Sequence, residues 1–128
     1  MKARLTASIF LILCIACINV FDLVGDVKLP VAKMDVPESV SPRGRLTVGL
    51  TVVTGGCRDF NRIKSSRSGS VLILEAWGTD RSGDNEGCTD EIQLEAHAYS
   101  TTGPFTDPLV VSAVQPDGSS ITKTVRVE

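Results

Sequence analysis

Apolar and polar residues alternate along most of the chain beyond residue 30, and this period of two restricts the fold more than any other feature. The clearest examples are the segments 45–54 and 91–99. Successive side chains of a β-strand point to opposite faces, so these segments are predicted to be strands with one apolar face. No helical period occurs in this part of the sequence. We therefore predict an all-β domain.

Turn-forming residues divide the alternating pattern into about seven segments, at a spacing of roughly ten residues, which is typical of an antiparallel β-sandwich. The segment 60–66 has few apolar residues, and we predict that it is an edge strand. In segment 91–99 we predict that Ile92, Leu94, Ala96 and Ala98 face the core, and that the polar row containing His97 faces solvent. The seven predicted strands are 31–36, 45–54, 60–66, 71–78, 91–99, 109–114 and 121–127.

The N-terminus has the layout of a secretory signal, with Lys2 and Arg4 followed by an uncharged, largely apolar run over residues 5–21. Within this run, Cys14-Ile15-Ala16-Cys17 resembles the lipobox of bacterial lipoproteins, although Cys14 stands where leucine is usual. The resemblance implies cleavage before Cys17 and lipidation of its thiol.

On this basis we predict a signal peptide over residues 1–16, a tether over 17–30 and a folded domain over 31–128. Two other interpretations stay open for the N-terminal segment. The apolar run could remain as an uncleaved single-helix anchor, or it could be cleaved as an ordinary signal with two incidental cysteines. Two or three acyl chains on one residue would hold the protein stably on a membrane, whereas one chain alone is marginal.

A second resemblance concerns the fold. A proline-marked first strand turns through glycine into an alternating second strand, which is similar to the opening of bacterial immunoglobulin-like domains. The resemblance implies an immunoglobulin-like sandwich and a role as a spacer, adhesin or binding module, but no reaction. The residues that carry it are Val36, Pro37, Val40, Gly44, Leu46, Val48, Leu50 and Val52.

Cys57 and Cys88 are the two cysteines outside the N-terminal apolar run. An exported domain with two cysteines usually joins them, so we predict a disulfide between these residues. Two thiols and the distant His97 are too few for a metal site, and the chain has no Cys-x-x-Cys redox motif. We predict neither a metal nor a cofactor.

The charge balance argues against nucleic acid as a partner. Without Lys2 and Arg4, 11 basic residues remain against 15 acidic ones, a net charge of −4. Nucleic-acid binding depends on clustered lysine and arginine, and the one basic stretch, residues 58–67, is interpreted as a solvated strand face. The predicted partners are a membrane, through the lipid anchor, and an envelope protein or glycan.

Few residues qualify as a functional site. His97 has no nucleophile motif beside it, and the acidic loop around Asp84 does not match the spacing of an EF-hand, so we predict a surface histidine and a solvated turn. Trp77 and Tyr99 are candidate partner contacts. Phe105 lies between Pro104 and Asp107, and it could either contact a partner or plug the end of the core.

Two classes of function remain. The sequence favours a non-catalytic, envelope-anchored lipoprotein that acts as a binding or structural module. Its loops over residues 54–59, 79–88 and 101–108 are the expected contact elements, because loops carry recognition while sheets position them. The alternative is a protease inhibitor or a hydrolase on a sandwich scaffold. No catalytic group of residues was found for that alternative, so the enzyme class is not favoured.

Overall fold

The structure is a computed structural model that describes residues 25–82, 87–89 and 91–128. This part of the chain is all-β, as predicted, and it contains no helix, so none that could cross a bilayer. The strands are β1 (Asp26–Lys28), β2 (Val31–Asp35), β3 (Ser39–Val40), β4 (Arg45–Gly55), β5 (Arg58–Ser68), β6 (Val71–Asp80), β7 (Ile92–Thr102), β8 (Leu109–Val114) and β9 (Ser120–Val127).

The strands form one curled, mixed sheet. Strand β4 lies between β2 and β7, while β6 lies between β5 and β8, and β8 continues through β9 to the short β3. The predicted purely antiparallel pairing is wrong in two places, because β6 pairs with β8 and β3 pairs with β9 in parallel. Parallel neighbours need a long crossover connection. For β6 and β8 that connection includes β7, which pairs with β4 instead.

One hydrophobic core lies inside the curl. The inward rows of β4 and β6 belong to the same buried cluster. Both rows follow the alternation in the sequence. The fully buried large side chains are Leu29, Met34, Leu46, Val48, Leu50, Val52, Leu72, Leu74, Leu109, Val111 and Val125.

All seven predicted strands are present, with ends that shift by a few residues, and two short strands were not predicted. Strand β1 pairs with β6 inside the range predicted as a tether, and Leu29 of the same range is fully buried. The folded unit therefore includes residues that precede the predicted boundary at residue 31. The predicted signal peptide and the predicted lipidation site, Cys17, lie outside the described residues.

Candidate functional site

A disulfide joins Cys57 to Cys88, as predicted, with their Cα atoms 5.3 Å apart. Cys57 lies in the two-residue turn between β4 and β5, where Gly56 and Cys57 both have positive φ angles of 60° and 68°. Two positive φ values define the tight turn that suits the twist of a hairpin. The bridge therefore ties this hairpin tip to the segment that leads into β7.

Beside the disulfide is an open cleft of about 370 Å³, lined among others by Thr54, Arg58, Asp80 and Ile92. Its two charged groups already neutralise each other, because Arg58 Nε lies 3.4 Å from Asp80 Oδ2. Hydrogen bonds from Ser82, and to a smaller extent the charge of Arg58, hold the pKa of Asp80 below its ordinary value. The two charged side chains that line the cleft are therefore already paired within the protein.

The inward row of β7 is polar, which contradicts the predicted orientation of this strand. His97 stacks on Phe60 of β5 with ring centroids 3.6 Å apart, and its Nε2 lies 3.0 Å from Glu95 Oε2. Tyr99 donates a hydrogen bond of 2.8 Å to Ser65 Oγ, also on β5. The row predicted to face solvent therefore packs against β5. Across the ranges 25–82, 87–89 and 91–128, no three His, Cys, Asp or Glu residues gather as metal ligands.

The outward row of β7 is apolar. Ile92 is 71% exposed and Leu94 is 64% exposed, and Ala96 and Ala98 are also exposed. The prediction that these four residues face the core is wrong. Alternation separates a strand into two rows, but it does not say which row is buried. Here the half-buried row consists of Glu95 and of aromatic side chains that reach partners on β5.

The apolar row continues onto β4, since directly paired residues of neighbouring strands share a face. Leu94 is paired with Val53, and Ala98 with Gly49. We call this surface the outer strip, and it comprises Ile92, Leu94, Ala96 and Ala98 of β7 with Gly49, Thr51 and Val53 of β4.

A charged margin runs along one side of the outer strip. Lys33 and Asp35 of β2 are paired in register with Thr51 and Gly49, and their side chains lie 3.5 Å apart as an ion pair. An exposed apolar surface with a polar margin is typical of an interaction site. The outer strip is therefore the best candidate for the functional surface in the described part of the chain.

The three predicted partner contacts lie in different places. Trp77 is half-buried on β6, with Lys28 Nζ and Arg62 Cζ 5.6 Å and 5.9 Å from its ring centroid. Tyr99 points towards β5, as described above. Phe105 is only 7% exposed and belongs to the hydrophobic core, so the structure places it as the plug rather than as a surface anchor. The structure does not bring these three residues together into one site.

The comparisons with known proteins identify no relative. No protein-family model matches the chain, and neither a curated protein nor a solved structure matches it at a significant level.

Proposed function

We propose that this chain is a non-catalytic binding or structural module of the bacterial cell envelope, held on a membrane by lipid at Cys17, and that it contacts its partner through the outer strip. The observation that carries the proposal is the 71% and 64% exposure of Ile92 and Leu94. Burying one such side chain in an interface contributes roughly 1.5–3 kcal/mol. A soluble domain gains nothing from leaving both in water, so a partner that covers them is the physical explanation.

The contacts of His97, the one histidine of the chain, support the same function. His97 is stacked on Phe60 and bonded to Glu95. An acid, a base and a nucleophile must converge in a cleft for acyl transfer. The imidazole of His97 instead packs β7 against β5. This packing leaves the apolar row of β7 exposed to solvent.

We also propose that the curled sheet is an immunoglobulin-like sandwich, with β2, β4 and β7 in one layer and β5, β6, β8 and β9 in the other. The shared core of β4 and β6 supports two layers, and so do the contacts of β7 with β5. The two parallel strand pairs are departures from that family's usual antiparallel pattern.

A photoreactive amino acid at position 94 tests the use of the outer strip. We expect ultraviolet irradiation of intact cells to give a covalent adduct with a protein from position 94 in the full chain. Thr124 is the matched control, because it is also exposed on a strand but lies on β9, away from the outer strip. Adducts that form equally from both positions, or from neither, would contradict the proposal.

Metabolic labelling with a radioactive fatty acid tests the anchor. We expect label on the full chain and none on the Cys17→Ala variant, because the acyl chains would be attached to that thiol and to the amino group that cleavage exposes there. The Cys14→Ala variant is the control and should keep its label. Label that persists in Cys17→Ala would rule the anchor out.

A further inference from the structure

We propose that two copies of this chain pair with each other, antiparallel, through the free edge of β7, with Ala96 at the two-fold axis. This proposal rests on the proposed function, because it names a partner for β7, the strand that carries most of the outer strip. It goes beyond the outer strip, however, because it concerns the backbone edge of β7 rather than its apolar face. This edge is open, its open length is defined, and that length is complementary to itself.

Strand β7 is an unprotected edge. Within the described ranges it pairs with β4 alone, without a register shift from Ile92 to Thr102. The strand contains no lysine, arginine or proline. Its one charged residue other than histidine, Glu95, is directed to His97. A long, regular edge with exposed apolar side chains offers unpaired backbone groups to another strand.

Two other edge strands of the same sheet, β5 and β2, carry the usual protection. Strand β5 pairs with β6 through a register shift between Phe60 and Arg62, and its exposed positions include Arg58, Lys64 and Arg67. Strand β2 has a register shift between Val31 and Lys33. Bulges and basic side chains are the devices by which proteins prevent edge-to-edge pairing. Their presence on β2 and β5, and their lack on β7, indicates that β7 is left available for a strand.

Arg67 defines where the open edge ends. Its Nη2 donates hydrogen bonds of 3.0 Å to the backbone oxygen of Thr102 and to Thr101 Oγ1, and its Nη1 donates one of 3.3 Å to the oxygen of Pro104. These contacts occupy the C-terminal end of β7. Among the residues that the structure describes, no strand pairs with the outer edge from Ile92 to Ser100, and the central residue of this stretch is Ala96. Pairing this whole stretch with itself therefore places Ala96 opposite Ala96.

This register is self-complementary in both polarity and size. It sets Glu95 of one copy opposite His97 of the other, and symmetry repeats this polar pair on the other side of the axis. On the outer face it sets Leu94 opposite Ala98 and Ile92 opposite Ser100, so that large residues face small ones. Opposed residues of an antiparallel pair interact directly, and an isologous contact requires this matching. The occupant that fits the edge is a second copy of this chain.

Cysteine cross-linking of the purified full chain in detergent tests the pairing. Opposed Cα atoms in an antiparallel pair lie about 4.5–5.5 Å apart, within the range that a disulfide spans. We expect Ala96→Cys to form covalent dimers about tenfold faster than Ser66→Cys, with a 96–96 linkage identified by mass spectrometry.

Ser66 is a matched control because it is small and exposed on the other long edge strand, β5. The unsubstituted chain gives the background from its own cysteines. Equal rates for the two variants would overturn the proposal.

Sedimentation of Leu94→Lys provides a second readout. A lysine at position 94 should weaken the dimer about tenfold or more, because it removes the apolar contact between Leu94 and Ala98 on both sides of the axis and because lysine on an edge strand opposes strand pairing. Ser66→Lys should dimerise like the unsubstituted chain. Both substituted residues are exposed, so both variants should keep the unfolding temperature reported by the single tryptophan, Trp77.

A full chain that sediments as a monomer, or a Leu94→Lys variant that dimerises unchanged, would refute the pairing. The proposed function would survive this result if the photoreactive residue at position 94 gave an adduct with a different protein in cells. Conversely, a purified dimer linked through Ala96→Cys, in a chain that gives no adduct in cells, would contradict the proposed envelope function and leave the pairing intact.

Discussion

Replacing Cys88 by serine is expected to lower the free energy of unfolding by about 3–4 kcal/mol and the unfolding temperature by about 15 °C. The bridge closes a loop between residues separated by 31 positions, and its loss frees that loop in the unfolded chain. The total stability of a domain is only about 5–15 kcal/mol, so the effect is large. Thermal unfolding followed by Trp77 fluorescence measures it.

Two comparisons make this result specific to the disulfide. A reductant should bring the unsubstituted chain down to the stability of Cys88→Ser and should leave the variant unchanged. Cys57→Gly should lose the same bridge but unfold at a higher temperature than Cys88→Ser, because residue 57 has a positive φ that costs a side-chain-bearing residue about 1 kcal/mol. If reduction left the unsubstituted chain as stable as before, the bridge would have no energetic role.

Gly78→Ala is expected to cost about 3 kcal/mol of stability. Gly78 lies in the middle of three strands, paired with Val27 of β1 on one side and Phe60 of β5 on the other. A Cβ atom there would overlap the backbone oxygen of Asp59 and come within 2.7 Å of Leu29 Cδ1. A backbone oxygen held in a strand pair cannot move aside as a flexible side chain would. Chemical denaturation of the variant and the unsubstituted chain gives the difference.

Gly87→Ala is the matched control for this prediction. A Cβ atom at Gly87 would meet nothing within 4 Å, so the free energy of unfolding should change by less than about 0.5 kcal/mol. A Gly78→Ala variant as stable as Gly87→Ala would mean that β5 does not hold the backbone oxygen of Asp59 against residue 78 in solution.

Most of the strands were predictable because their alternation is local. The boundaries of β8 over residues 109–114 were predicted without error, and those of β4 within one residue. The disulfide was predictable from the count and position of the cysteines. The short strands β1 and β3 were not, because segments of three and two residues contain too few positions to show a period of two.

The candidate site was not predictable from the sequence, because it depends on which strand pairs with which. Alternation marks Ile92 and Leu94 as one row of β7, but either row could have faced the core. The outcome depends on the register with β4, which puts Leu94 beside Val53 on the outer face, and on β5, which offers Phe60 and Ser65 to the polar row. Those partners lie more than 30 residues away along the chain.

The all-β class, the positions of the long strands and the pairing of Cys57 with Cys88 could be read from the sequence, since each of these follows from local periodicity or residue type. The exposed face of β7, the protected edges of the sheet and the burial of Phe105 could not be read in this way, because each depends on contacts between strands that are distant in sequence. The stacking contact of His97 with Phe60 and the hydrogen bond of Tyr99 to Ser65 hold the polar row of β7 half-buried, and the apolar row is left in water.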